Sequence, residues 1–164
     1  MAVAVLVVAL GGCDRHMTRP AVAKVQFLLS ATPATGSPPS PVTLLAHVVN
    51  VGDTRVWHCE GCGCGNGISV EVRGPDGHRV ALEEPKASRP MCPDGFSPLE
   101  RGGMLDGGNI FTGVLYEQDS PVYPTPTYQA PPGTYTVIAL FGYRATGSGP
   151  EFVLERRVSF ARQP

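Results

Sequence analysis

The chain has 164 residues, a length that fits one domain with a short extra segment. Its 13 basic and 14 acidic side chains give a net charge of -1 without any run of like charge, which excludes the basic surface that nucleic-acid binding requires. Apolar residues make up 42% and charged residues 16%, a balance that predicts a folded chain. With 20 Gly and 17 Pro, we expect many turns and few long helices.

The first residues form an unbroken apolar run from Ala2 to Leu10, which ends at Gly11-Gly12-Cys13 and is followed by polar sequence. Nine apolar residues would make a helix of about 14 Å, roughly half of a bilayer core, as in the apolar region of a signal peptide. No basic residue precedes the run, which departs from the usual export signal. An apolar first strand with an incidental cysteine is the alternative interpretation.

The segment Leu10-Gly11-Gly12-Cys13 resembles the lipobox of bacterial lipoproteins. The resemblance implies a signal peptide over residues 1–12 that is cleaved before Cys13. It also implies a lipid on Cys13 that anchors the chain to a membrane of the bacterial cell envelope, facing the periplasm or the exterior. Residues 13–24 would then be a basic connector to a folded domain over residues 25–164.

Beyond the connector, short apolar or alternating segments recur between turn signals, and no segment has the i, i+3, i+4, i+7 spacing of a helix. We therefore expect an all-β domain. The segments 32–41 and 85–108 are rich in proline or glycine and predict irregular structure. The predicted strands are Val25–Leu29, Val42–Val51, Arg55–Trp57, Ile68–Arg73, Arg79–Leu82, Ile110–Tyr116, Thr134–Phe141 and Phe152–Phe160.

This many short strands favours an antiparallel two-sheet sandwich, with Trp57 as a core residue. Three segments, Asn50-Val51-Gly52-Asp53, Gly74-Pro75-Asp76-Gly77 and Pro132-Gly133-Thr134-Tyr135-Thr136-Val137, resemble bacterial immunoglobulin-like domains and are also similar to proteinase inhibitors of the BsuPI type. The resemblance implies an immunoglobulin-like sandwich in which Tyr135 is a corner tyrosine, bonded to an upstream backbone group. It also makes proteinase inhibition an alternative function.

The most unusual segment is Cys59-Glu60-Gly61-Cys62-Gly63-Cys64, with Cys92 lying 28 residues beyond Cys64. Five cysteines are an odd number for an exported chain, and a lipid on Cys13 leaves four that can pair as two disulfides, in any of three ways. A copper or zinc site is the second interpretation, because these thiolates suit soft metals, with His58, Met91 and Met104 as further ligands. Thiol-disulfide exchange is the third, although the thioredoxin-like strand and helix are lacking.

Catalytic and cofactor motifs are absent from the sequence, including Gly-x-Ser-x-Gly, His-Glu-x-x-His and the P-loop. We expect His47, His58, His78 and the Glu83-Glu84 pair to be structural or solvated groups. The sequence thus predicts no enzyme, no catalytic residue, no cofactor and no nucleic-acid partner.

The predicted function is a lipid-anchored binding module whose functional face is formed by residues 58–67 and 85–108. Copper or zinc transfer and proteinase inhibition are the alternatives. Residues 121–128, where Tyr123 and Tyr128 stand between prolines, would offer a stiff contact surface to a protein or glycan, or would lie across one sheet.

Overall fold

The computed structural model describes residues 24–33, 41–60, 66–83, 95–118, 120 and 122–163. These residues form antiparallel β-strands. Among them there is no helix with the length and apolar character needed to span a membrane. The all-β prediction is confirmed, whereas the signal peptide and Cys13 lie outside the described residues. The strands are β1 (Val25–Pro33), β2 (Val42–Asn50), β3 (Val56–Glu60), β4 (Ile68–Arg73), β5 (Arg79–Val80), β6 (Gly95–Leu99), β7 (Met104–Phe111), β8 (Val114–Tyr116), β9 (Thr127–Gln129), β10 (Gly133–Arg144) and β11 (Glu151–Arg162).

Two main sheets build the domain. The smaller sheet has the order β1-β2-β7. The larger sheet is organised around β10, which pairs with β11 along its whole length. Because a strand has only two edges, β4 and β3 share the other edge of β10, β4 along residues 136–141 and β3 along residues 143–144. Strand β5 continues the sheet beyond β4, β6 continues it beyond β3, and β8 and β9 form a separate ribbon.

The two sheets enclose two adjoining hydrophobic clusters. Strand β2 buries every second side chain from Val42 to Val48, which confirms the inward face expected from its alternating sequence. One cluster contains Tyr135, whose ring centroid lies 4.9 Å from that of Phe111 and 5.5 Å from that of Phe160. The other contains the fully buried Phe141. Burying a large apolar side chain contributes about 1.5–3 kcal/mol, so these clusters supply most of the cohesion between the sheets.

The turn after β2 is fixed by a buried polar side chain. The Nδ2 of Asn50 donates to the carbonyl oxygens of Thr54 at 2.8 Å and Leu99 at 2.9 Å, while its Oδ1 accepts from the backbone N–H of Gly52 at 3.1 Å. The backbone carbonyl of Asn50 also accepts from the N–H of Gly102 at 2.8 Å. Asn50 is fully buried. This network joins the β2 turn to the loop between β6 and β7.

Tyr135 has the role expected of a corner tyrosine. Its hydroxyl donates to the backbone carbonyl of Pro131, four residues upstream, at 2.7 Å. Burial raises the pKa of the Tyr135 hydroxyl above its ordinary value of 10.0, and the positive charge of Arg162 opposes that shift. The prediction for this residue is confirmed, and its ring belongs to the core as well.

The expectation of irregular structure over residues 85–108 is wrong in its second half. Strand β6 lies entirely within it, and β7 begins within it at Met104. Pro98 is accommodated because β6 pairs only with β3 among the described residues, so the missing N–H of Pro98 falls on a sheet edge.

Two glycines in β7 explain why the part of this strand before Ile110 is not predicted. A Cβ on Gly108 would collide with the carbonyl oxygen of Leu44, and a Cβ on Gly107 would lie 2.9 Å from the side chain of Ile68. The glycines therefore allow close approach inside a sheet and between the sheets, although in sequence they look like turn residues.

Other strand boundaries also differ from the prediction. The segment expected as one strand over Ile110–Tyr116 is divided between β7 and β8, and Gly113 between them has a φ of 85° that breaks the extended conformation. Strand β9, which pairs with β8, lies in a segment expected to be a loop. Strands β10 and β11 extend several residues beyond their predicted ends because they pair with each other throughout.

Candidate functional site

The side chains of β3 alternate between the interior and the outer face of the larger sheet. Val56 and His58 are buried, so the alternation of the strand places Trp57 and Cys59 on the outer face. The prediction that Trp57 is a core residue is therefore wrong. Its half-buried indole lies beside the turn between β10 and β11, where a Cβ on Gly147 would be 3.5 Å from the indole ring.

Cys59 is disulfide-bonded. The other residues of the predicted disulfide set, Cys62, Cys64 and Cys92, lie outside the described residues, as does Cys13. The pairing of the four cysteines thus stays a prediction.

Residues 60–66, which we call the cysteine loop, connect β3 to β4 in the larger sheet. Gly67, at the end of the loop, has a φ of 81°, and a Cβ on it would lie 3.3 Å from the carbonyl oxygen of Cys59. The carbonyl of Gly67 accepts from the N–H of Gly142 at 3.3 Å. The loop therefore starts and ends where the edge of β10 changes partner from β3 to β4, and glycine meets both the steric and the conformational demand there.

Asn66 holds the end of the cysteine loop against the smaller sheet. Its Nδ2 donates to the backbone carbonyl of Asp106 in β7 at 2.6 Å, and its Oδ1 accepts from the N–H of Ile68 at 3.3 Å. The carboxylate of Asp106 in turn lies 2.5 Å from Nδ1 of His47. Both sheets therefore position the base of the loop.

Three side chains beside Cys59 form a surface that we call the tryptophan–arginine patch, namely Trp57, Phe96 and Arg144. Arg144 pairs with Trp57 across β10 and β3, and Phe96 pairs with Cys59 across β6 and β3, so all three share the outer face of the larger sheet. The guanidinium carbon of Arg144 lies 3.7 Å from the centroid of the Phe96 ring. This stacking holds the cation in place.

Arg144 has donors that its neighbours do not use. Its Nη2 lies 4.0 Å from the carboxylate of Glu151, at the outer limit of an ion pair. Its buried Nε has no hydrogen-bond partner among the described residues. The side chain keeps 27% of its surface exposed. A guanidinium carries five N–H donors in a planar fork, so this group is able to receive a carboxylate.

The predicted functional face is only partly brought together. Gly95 lies opposite Glu60, so the start of β6 adjoins the cysteine loop. Residues 100–103 lie at the other end of β6, where Gly102 bonds to Asn50. The expectation of one face formed by residues 58–67 and 85–108 is therefore wrong for residues 100–103, because a strand separates them from the loop.

The proposed metal ligands are separated where the structure describes them. His58 is buried, with Nδ1 3.1 Å from the carbonyl oxygen of Cys59, whereas Met104 is exposed on the outer face of the smaller sheet. Across the described ranges, no three His, Cys, Asp or Glu residues come together in a way that could hold a metal ion. Met91, Cys62, Cys64 and Cys92 lie outside these ranges.

The remaining sequence candidates lie on the surface. His78 and Glu83 are exposed, and Glu84 is outside the described residues. In the tyrosine segment, Tyr123 is 82% exposed and Tyr128 lies in β9. The half-exposed Arg144 and the Phe96 beneath it were not among the predicted site residues, because only the pairing of β3 with β6 and β10 brings them beside Trp57.

No protein-family model matches the chain, and no curated protein matches it. Among solved structures, the chain is similar to the ASH / PapD-like domain of human CEP192 (PapD-like domain 7). The sequence identity is 17%, the alignment covers 95% of this chain and 96% of that chain, and the TM-score is 0.43. The resemblances to bacterial lipoproteins and to BsuPI-type inhibitors stay predictions.

Proposed function

We propose that this chain is a lipid-anchored protein of the bacterial cell envelope whose β-sandwich is a non-catalytic binding module. In this proposal the tryptophan–arginine patch binds a carboxylate group on a protein or glycan partner. The observation that carries it is the partly exposed guanidinium of Arg144, which is stacked on Phe96 and whose Nη2 lies as far as 4.0 Å from the carboxylate of Glu151.

The chemistry of the patch favours recognition over catalysis. Tryptophan and arginine are the side chains most enriched among residues that dominate binding energy, and here strands hold both of them. A stacked, planar guanidinium loses little freedom when it binds a carboxylate through two parallel hydrogen bonds. The long contact to Glu151 is weak enough to be exchanged for a closer anion.

The anchor and the crosslinks follow from the cysteines. Cys13 carries the lipid, and Cys59, Cys62, Cys64 and Cys92 form two disulfides that fasten the cysteine loop and the segment containing Cys92. The disulfide at Cys59 supports an oxidising compartment such as the envelope. The corner bond of Tyr135 supports an immunoglobulin-like sandwich.

Mass spectrometry of the full chain isolated from bacterial membranes tests the anchor and the crosslinks together. We expect acylated Cys13 at the amino terminus, two disulfides and no bound metal. An unmodified Cys13 in a soluble, reducing fraction would overturn the anchor. Free thiols at 59, 62, 64 and 92 with one equivalent of copper or zinc would replace the binding module with metal carriage.

An array of acidic and neutral glycans and peptides tests the patch. We expect the bound members to carry carboxylates, and Arg144→Gln to weaken binding by about tenfold or more, the loss typical of one charged hydrogen bond. Arg157→Gln is the matched control, because Arg157 is exposed on the same sheet but already pairs with Glu155 at 2.5 Å. Equal losses in the two variants would count against the patch.

A further inference from the structure

The outer face of the smaller sheet, on the opposite side of the sandwich from the tryptophan–arginine patch, carries large apolar side chains in contact with solvent. Each of its three strands contributes at least one, and the exposed fractions of these side chains range from 44% to 63%. Scattered apolar residues on a surface are ordinary, but a contiguous group on one sheet face indicates an interaction site. The members of this group, which we call the apolar face, are Leu28 of β1, Leu45 of β2, and Met104 and Ile110 of β7.

The register of the sheet makes Leu28, Leu45 and Ile110 diagonal neighbours, while the His47–Asp106 pair separates Met104 from Leu45 and Ile110. Leu28 lies opposite His47, two residues along β2 from Leu45, and Gly108 lies opposite Leu45 on the other side. Gly108 adds no side chain beside Leu45. From Met104 to Ile110 the face is about 20 Å long, and three strands make it about 10 Å wide.

The carboxylate of Asp106 on this face has a side-chain partner. Asp106 of β7 lies opposite His47 of β2, and their side chains are 2.5 Å apart. The neighbouring Ser30 and Thr43 are small and uncharged. Asp106 therefore keeps a hydrogen-bond partner inside the protein when the face approaches the membrane interface.

The covalent neighbour of this sheet is the connector. Strand β1, which forms an edge of the sheet, begins at Val25, and eleven residues, 14–24, separate it from Cys13. Eleven residues span at most about 36–40 Å when fully extended. The connector holds three basic residues and one acidic residue, a balance that attracts it to anionic lipid headgroups.

We infer that the apolar face docks on the lipid bilayer to which Cys13 anchors the chain, an inference that rests on the lipid anchor of the proposed function. The short connector confines the domain to the membrane surface, so a weakly apolar face meets the bilayer at high effective concentration. A single acyl chain binds membranes only marginally, and a second contact makes the attachment durable. Docking also turns the tryptophan–arginine patch away from the membrane, toward partners.

Tryptophan fluorescence in vesicles with brominated acyl chains tests this orientation, since bromine quenches indoles that enter the bilayer interface. The lipidated full chain is reconstituted in phosphatidylethanolamine and phosphatidylglycerol, and its natural Trp57 lies on the far face. In a Trp57→Phe background, Leu45→Trp adds a reporter on the apolar face. Leu140→Trp adds a matched one on the outer face of the larger sheet, where Leu140 is 37% exposed.

We expect bromination to lower the emission of the Leu45→Trp protein by roughly twofold, the effect of a side chain 5–10 Å into the interface. The emission of the parent chain and of the Leu140→Trp protein should not change. Equal quenching of the two reporters, or none, would overturn the inference. Ile110→Trp supplies a second reporter should Leu45→Trp fail to fold. A dimer crosslinked through the apolar face without quenching would make a second copy the occupant and would also overturn it.

Failure of the anchor is distinguishable from failure of docking. If the chain carries no lipid, it will not bind the vesicles at all. A Cys13→Ser chain with an amino-terminal hexahistidine tag, held on nickel-chelating lipid, then tests the apolar face alone. Quenching of its Leu45 reporter supports docking, and an unquenched reporter on bound protein rejects it.

Discussion

The turn at Asn50 and the tryptophan–arginine patch differ in how their side-chain hydrogen-bond donors are used. The side-chain amide of Asn50 is fully buried and makes three hydrogen bonds. Arg144 keeps 27% of its side chain exposed, and its Nη2 makes only a 4.0 Å contact with the carboxylate of Glu151. A satisfied buried network stabilises the fold, whereas unused donors at a surface are available to another molecule. A mutation at Asn50 should therefore lower the stability of the fold, whereas a mutation at Arg144 should mainly weaken ligand binding.

The largest loss of stability should follow the removal of the Asn50 side chain. Asn50→Ala leaves the carbonyls of Thr54 and Leu99 and the N–H of Gly52 without their partner inside the protein. We expect the free energy of unfolding to fall by about 3 kcal/mol, because each unsatisfied buried group costs about 1–3 kcal/mol. Denaturant unfolding of the full chain measures it.

Asn66→Ala is the matched control for this loss. Asn66 also makes two side-chain hydrogen bonds, but one is exposed and the other is half-buried, so water can replace them. Its expected cost is below about 1 kcal/mol. Similar losses in both asparagine variants would mean that burial does not separate the two regions.

A smaller loss, dependent on pH, should follow substitution of the corner tyrosine. Tyr135→Phe removes the bond to Pro131 and should lower the free energy of unfolding by about 1 kcal/mol at neutral pH. The pKa of Tyr135 is raised in the folded chain, so the unfolded chain loses this proton first. The stability that Tyr135 contributes is therefore complete below pH 10 and declines as the pH rises through and above that value.

The measurement is a comparison of unfolding for the natural chain and Tyr135→Phe at pH 8 and at a pH above 10. We expect the difference between the two proteins to shrink on the alkaline side. A difference that grows there would show that the folded state favours the ionised phenol, contrary to the direction expected from burial.

Local sequence patterns predicted the parts of the fold that depend on neighbours in the chain. The alternation from Val42 to Val48 and the corner motif before Tyr135 each lie within a few residues, and both are as expected. The sequence predicts the wrong side of β3 for Trp57 because tryptophans of immunoglobulin-like sandwiches often pack in the core near a disulfide. The buried side chains are in fact those of its two neighbours in the strand.

The candidate site could not be predicted because it depends on pairing between distant segments. Phe96 lies in a segment whose prolines and glycines indicated irregular structure, and it reaches Arg144 only after β6 has paired with β3 and β3 with β10. Gly108 shows the same limit, since its need for close approach to Leu44 comes from a partner strand. Sequence shows which residues are small or charged, and strand register decides which of them meet.

The smallest effect on stability should come from Arg144→Gln, the variant that is expected to weaken ligand binding most. A cation over an aromatic ring at a partly exposed site contributes about 0.5–1 kcal/mol, and an exposed ion pair at the distance limit contributes little more. Glutamine keeps a polar group in place of the buried Nε, so we expect the free energy of unfolding to change by less than about 1 kcal/mol. Denaturant unfolding of Arg144→Gln and Asn50→Ala under the same conditions compares the two losses in free energy of unfolding. Should Arg144→Gln cost as much as Asn50→Ala, Arg144 would be a structural residue, and the carboxylate site would have to be sought elsewhere.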